Sequence, residues 1–124
     1  MIVLDACVLI GFVSPSDANH QAAVRLLSTT EPLLITALTG AELMVRPSSR
    51  SDWHWSDLFH DLTIETIPIT AADMSDIAKA RRESRLKMPD ALIIWAATRH
   101  KAAVASFDQQ LLTQASRLGL KVVQ

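Results

Sequence analysis

Ile2-Val-Leu-Asp-Ala-Cys-Val-Leu-Ile10 carries one charge, Asp5, in nine residues. Three apolar residues, a lone acid and a second apolar run read as a strand, Ile2–Leu4, passing at once into a short helix over Cys7–Val13. A strand without polar alternation suits burial on both faces, the condition of a parallel sheet packed between helices. Leu33-Leu-Ile35 repeats the pattern as a second strand, and the segment Thr36–Arg46 after it reads as a helix closed by Pro47.

Outward from these two anchors, strand and helix patterns alternate. Ser16–Ser28 places Ala22, Ala23, Leu26 and Leu27 on one helical stripe. Trp55, Leu58, Phe59 and Leu62 are spaced i, i+3, i+4, i+7, which predicts a helix starting near Ser51. Ile64–Ile69 alternates and is rich in β-branched residues, as a strand is. Thr70-Ala-Ala-Asp73 resembles a capping box opening a helix that runs to about Leu86. Pro89 suits the first turn of a helix over Asp90–Lys101. Ala103–Phe107 reads as the fourth strand, Leu111, Leu112, Ala115 and Leu118 mark a last helix ended by Gly119, and Lys121–Val123 is a fifth strand. The expected fold is an α/β/α sandwich around a central five-stranded parallel sheet, residues 1–124 forming one domain.

Composition agrees with that size and class. The 124 residues are 49% hydrophobic and 20% charged, an ordinary globular balance that excludes disorder. Twelve basic and thirteen acidic residues give a net charge of −1, which excludes a general polycationic coat and leaves room for a local basic patch. A single cysteine, Cys7, excludes a disulfide framework and a multi-cysteine zinc site. The first apolar run has no basic residue before it and is broken by Asp5, so it makes a poor signal peptide. No apolar stretch reaches the roughly 18 residues of a membrane span. These features predict a soluble, cytoplasmic protein.

Right-handed crossovers place the carboxyl ends of all parallel strands along one edge, where α/β sheets bind ligands. Asp5 ends the first strand and Asp108 follows the fourth, after Ala103-Val-Ala-Ser-Phe107. Asp90 opens the apolar helix Pro89-Asp-Ala-Leu-Ile-Ile-Trp95, and Glu42 lies in Ala37-Leu-Thr-Gly-Ala-Glu-Leu-Met-Val45. Each has a plainer account. Asp5 and Asp108 suit N-caps, worth about 1 kcal/mol each. Asp90 complements a helix dipole, and Glu42 has Arg46 four residues on. Jointly they are costlier, because two carboxylates 4 Å apart repel by about 4 kcal/mol at an effective dielectric near 20. Several in one cleft must take up protons or hold a cation, and an all-oxygen set suits Mg²⁺ or Mn²⁺.

Val3-Leu-Asp-Ala-Cys-Val-Leu-Ile10, Glu42, Pro89-Asp-Ala-Leu-Ile93 and Ser106-Phe-Asp108, in this order, resemble the signature segments of PIN-domain nucleases. The likeness spans the chain, and the small size resembles the VapC toxins of bacterial and archaeal toxin–antitoxin pairs. The resemblance implies that Asp5, Glu42, Asp90 and Asp108 are a catalytic, metal-binding quartet, a buried Glu42 among them, with Ser106 supporting the site. It further implies a Mg²⁺- or Mn²⁺-dependent endoribonuclease leaving 5′-phosphate and 3′-hydroxyl ends. The expected substrate is RNA such as tRNA or rRNA, with inhibition by a cognate antitoxin and pairing as a homodimer. Ala6 and Cys7 stand where members of the family often have hydroxyl or amide residues, and Gln110 stands near where some have a further acid.

Lys79, Arg81, Arg82, Arg85 and Lys87 crowd the nine residues before Met88. They read either as a phosphate-contacting patch, with Lys79, Arg82 and Arg85 as substrate-binding residues, or as cations complementing a helix end. Trp53-His54-Trp55 could stack bases, although Trp55 fits a core stripe and Trp53 suits a protein interface. His20, His54, His60 and His100 have no metal-ligand spacing. Cys7 reads as a small buried hydrophobe, and no G-x-S-x-G elbow is present. Two other classes fit the acidic edge: a receiver-like phospho-acceptor signalling module, which would need paired acids in the first loop and a Lys after the last strand, and a catalytically dead PIN scaffold.

Overall fold

The computed structural model describes residues 1–46 and 54–124. Five strands, β1 (Ile2–Leu4), β2 (Leu33–Thr36), β3 (Ile64–Ile67), β4 (Ala103–Ala105) and β5 (Val122–Val123), form one sheet in the order β3-β2-β1-β4-β5. Every pairing is parallel, with Ile2 opposite both Leu33 and Ala103. The helices are α1 (Ala6–Val13), α2 (His20–Leu27), α3 (Ala37–Val45), α4 (Trp55–Asp61), α5 (Met74–Ser84), α6 (Met88–His100) and α7 (Gln109–Arg117). The predicted α/β/α sandwich with a five-stranded parallel sheet is the architecture observed.

The period-2 geometry of the strands explains the two cores. Val3, Leu34, Ile67 and Val104 point to one face and pack with Ile77, Leu86, Ile93, Trp95 and Leu111 of the chain covering it. Ile2, Leu4, Leu33, Ile35 and Ile64 point the other way onto Leu9, Leu26, Leu43, Trp55 and Phe59. β1 lies at the centre, buried throughout. Burying a side chain such as Leu4 or Ile35 contributes roughly 1.5–3 kcal/mol. The chain leaves β1 toward β2 and later returns to pair β4 on its other side, so the strand order reverses between β1 and β4. Ligands of open α/β sheets bind in that crevice.

Some predicted boundaries move, each for a local reason. The helix expected from Ser16 begins only at His20, because Asp17 caps a turn by accepting the Asn19 N–H at 2.8 Å. The strand expected to Ile69 stops at Ile67, before Pro68, which has no N–H for the ladder. The capping box of Thr70 and Asp73 is present, but it opens a 3₁₀ turn (Ala71–Asp73) before α5. α5 ends at Ser84, where Arg85 turns left-handed at φ 60°. β4 ends at Ala105 and β5 begins after Lys121. The helix expected from Ser51 is described from Trp55 onward. The start near Ser51, the closure at Pro47 and the interface reading of Trp53 lie outside the described residues. Trp55 is in the core as expected. Among the described residues, no helix is long and apolar enough to cross a membrane.

Candidate functional site

The reversal point holds a hydrogen-bonded bridge between the loops that follow β1 and β4. Asp5 extends the ladder by donating its N–H to the Ala105 carbonyl at 2.9 Å. Its side chain makes no cap on α1, contrary to the simple N-cap reading. Instead Oδ2 accepts from the Ser106 hydroxyl at 2.6 Å and from the Cys7 thiol at 3.2 Å. Ser106 is fully buried, and its oxygen also accepts the Asp108 N–H at 2.9 Å. Cys7 Sγ accepts the Phe107 N–H at 3.3 Å and stands 3.5 Å from the Ser106 oxygen. Asp5 is thereby aimed along the sheet edge by two side chains 101 and two residues away.

Asp108 is the N-cap its position suggested, accepting from the N–H groups of Gln110 at 2.9 Å and Leu111 at 3.4 Å, both through Oδ1. Asp90 sits half-buried in the first turn of α6. Burial pushes its carboxyl up to about 6, and the charges of Asp5, Asp108 and Glu42 push the same way. Glu42 is raised as well, by desolvation first and by the charge of Asp5 second. Asp90 thus feels the charge of the other three acids proposed from sequence, and Glu42 that of Asp5. Glu42 and Asp108 are exposed, and the expectation of a buried Glu42 is corrected. Its segment is apolar because Leu43 reaches the core, while Glu42, one residue earlier, points out. No ion pair ties Glu42 to Arg46; the ion pairs among the described residues are Met1–Glu31 and Asp73–Arg99.

Among the described residues, no group of three or more His, Cys, Asp or Glu side chains is arranged as a ready cation site. The chemistry of the donors fits a hard divalent ion: they are oxygen-only, and Asp90 is raised by burial first and by the neighbouring acids second. Cys7 does not suit a nucleophile, because burial and then Asp5 push its thiol up to about 11. The bridging role of Cys7 is one that an apolar sequence context gave no sign of. His20 sets Nδ1 2.9 Å from the Gly11 carbonyl, a structural contact.

Of the basic residues, Arg81, Arg82, Arg85 and Lys87 are exposed, and the last two lie on the link from α5 into α6. The extended chain covers at most ~3.6 Å per residue, so Arg85 lies within about 18 Å of Asp90. Lys79 is set apart from them. It is exposed too, and lines a cleft of about 330 Å³ between α5 and α6 with Asp76, Trp95 and Arg99.

A model of the PIN domain matches residues 2–117, and the chain belongs to that family. The match displaces the receiver reading. The fold is shared with a toxin–antitoxin complex from Klebsiella pneumoniae (TM-score 0.71, 20% identity, covering 100% of this chain and 97% of that one). It is shared equally with VapC20 of Mycobacterium tuberculosis, a toxin that cleaves the sarcin–ricin loop (0.73, 16%, 100% and 99%). A third likeness is to VapBC2 from Rickettsia felis, solved on a DNA fragment from its promoter (0.69, 20%, 99% and 98%). At these identities the likeness is one of fold. No curated protein matches the sequence.

Proposed function

We propose that this chain is a single-domain, divalent-metal-dependent endoribonuclease, a toxin of the VapC type restrained by a cognate antitoxin and acting in the cytoplasm. The observation that carries the reading is the crevice where the strand order reverses, with Asp5 held by Ser106 at 2.6 Å and Asp90 half-buried, its carboxyl raised first by burial and then by the charges of Asp5, Asp108 and Glu42. Membership of the PIN family and the fold of toxin structures support it. Asp5, Glu42, Asp90 and Asp108 are the residues proposed to hold Mg²⁺ or Mn²⁺. When bound, such an ion supplies a Lewis acid for a phosphodiester and an activated water.

The chain's own residues have separable tasks. Ser106, through its 2.6 Å hydrogen bond, keeps Asp5 aimed into the crevice. Asp90 gives up its proton when positive charge enters the site. Glu42, exposed and subject to the charge of Asp5, is proposed to orient a water. Arg82 and Arg85 are proposed to hold the RNA backbone beside the acids, with Lys79 further along α5, and the substrate is structured RNA such as tRNA or rRNA. Antitoxin binding and homodimerisation belong to the same reading.

The test uses protein freed of any partner and end-labelled structured RNAs, with Mg²⁺ or Mn²⁺, with EDTA, and with Asp5→Asn and Asp90→Asn alongside. The reading expects metal-dependent cuts that leave 5′-phosphate ends and are lost in both variants. Cleavage surviving in EDTA, or in both variants, would refute it. No cleavage of any RNA would favour the dead scaffold.

A further inference from the structure

Two of the four acids, Asp5 and Asp108, stand at helix N-caps, and one of them caps. Asp108 spends Oδ1 on the N–H groups of Gln110 and Leu111. Asp5 precedes α1 with an extended backbone, φ −79° and ψ 152°, which is the conformation an N-cap adopts. Its side chain nevertheless accepts no cap hydrogen bond. A capping residue that forgoes its cap breaks a local rule, and such positions tend to serve function.

Two side-chain donors hold Asp5 off the cap, and each has one proton to give. The Ser106 hydroxyl gives its proton to Asp5 Oδ2 at 2.6 Å, while its oxygen accepts the Asp108 N–H. The Cys7 thiol has two acceptors in reach. Asp5 Oδ2 at 3.2 Å is nearer than the Ser106 oxygen at 3.5 Å and carries the charge, so the thiol donates to the carboxylate. The Phe107 N–H donates to Cys7 Sγ at 3.3 Å and ties the thiol to the loop after β4. Oδ2 thus takes two protons, one for each of its lone pairs. Among the described residues, both hydrogen bonds to the Asp5 side chain fall on this oxygen, which leaves the lone pairs of Oδ1 to other use.

We propose that Cys7 is a positioning residue: with Ser106 it occupies Oδ2 of Asp5 and keeps Oδ1 off the α1 cap, as the one oxygen that Asp5 offers to a divalent ion. This rests on the metal-dependent reading of the acids, in which Cys7 has no other task. Space-filling does not account for the residue, because Cys7 is half-buried and its sulfur both donates and accepts at the crevice. The same thiol joins the loops after β1 and β4, so it fixes Asp5 relative to the segment that carries Asp108.

The experiment titrates Mn²⁺ into the purified, metal-free protein by calorimetry at pH 7.5. Cys7→Val fills the space without a donor and is expected to bind Mn²⁺ about tenfold more weakly, the lower end of what losing a hydrogen bond to a metal ligand costs. Cys7→Ala is expected to weaken binding likewise, which separates the lost donor from any crowding by valine. Cys7→Ser restores a donor and with it the wild-type affinity. A Cys7 that served packing alone would change the melting temperature of these variants and leave the affinity of all three at the wild-type value. A second readout needs no metal: Cys7 is the only cysteine, so the S–H stretching band in the Raman spectrum belongs to it alone. Donation to a carboxylate puts that band at lower frequency in the wild type than in Asp5→Ala. Wild-type affinity in Cys7→Val, a Cys7→Ser as weak as Cys7→Val, or a band that does not move in Asp5→Ala would overturn the proposal while the metal reading stands. A wild type that binds no Mn²⁺ would refute the metal reading, and the proposal with it.

Discussion

Asp90→Asn should stabilise the protein above neutral pH. The Asp90 carboxyl stands at about 6 in the fold, against 3.8 for the free side chain, through burial and then through Asp5, Asp108 and Glu42. Between these values the native state keeps a proton that the unfolded chain has released, so stability falls as pH rises through this window. Below pH 3.8 both states are protonated and the contribution vanishes. Above pH 6 it is fully unfavourable. For a fully buried group such a displacement corresponds to about 3 kcal/mol; solvent screening of a half-buried carboxyl reduces it to ~1–2 kcal/mol. Asparagine keeps the shape and removes the charge, so its advantage over wild type should be near zero at pH 3.5 and about 1–2 kcal/mol at pH 7.5. Urea denaturation of both proteins at the two pH values measures it. A variant less stable than wild type at pH 7.5, or an advantage that does not change with pH, would refute the argument that the acids repel across the crevice.

Ser106→Ala removes a buried hydroxyl that donates to Asp5 and accepts from Asp108 N–H. It should cost roughly 2–3 kcal/mol, read as a loss of urea midpoint at unchanged m-value; a cost under about 0.5 kcal/mol would mean that the bridge is dispensable. Thr63→Gly should stabilise by up to ~1 kcal/mol, because Thr63 holds φ 54° after α4, a conformation that suits glycine; a lowered melting temperature would count against this. Asp108→Ala should cost about 1 kcal/mol, the loss of an N-cap with two N–H partners, and should abolish RNA cleavage, where Asp108→Asn should abolish cleavage at a smaller cost in stability.

Most of the fold was legible because its signals are local. The unbroken apolar runs of Ile2–Leu4 and Leu33–Ile35 report burial on two faces, and Pro89 marks the start of α6 within a residue. The misplaced boundaries lie where side chains compete with the backbone, as Asp17 does before α2, or where proline removes a donor, as Pro68 does after β3. Asp5 and Asp108 could be placed on one edge from topology alone, whereas the approach of Asp90 and Glu42 depends on how α6 and α3 cross the sheet, which no spacing encodes. For Glu42 the apolar neighbours misled: they report the face of α3 that holds Leu43. The bridge from Cys7 to Phe107 joins residues 100 apart and has no signature in either segment.

The central claim, that Asp5, Glu42, Asp90 and Asp108 together hold a divalent ion, is tested most directly by calorimetric titration of Mn²⁺ at pH 5.5–6 in two buffers of different ionisation enthalpy. Asp90 must shed its proton for the ion to bind, so the account predicts saturable binding with proton release in the wild type. Asp90→Asn should bind more weakly and release fewer protons. Binding of equal strength and equal proton release in both proteins, or no binding at all, would contradict it.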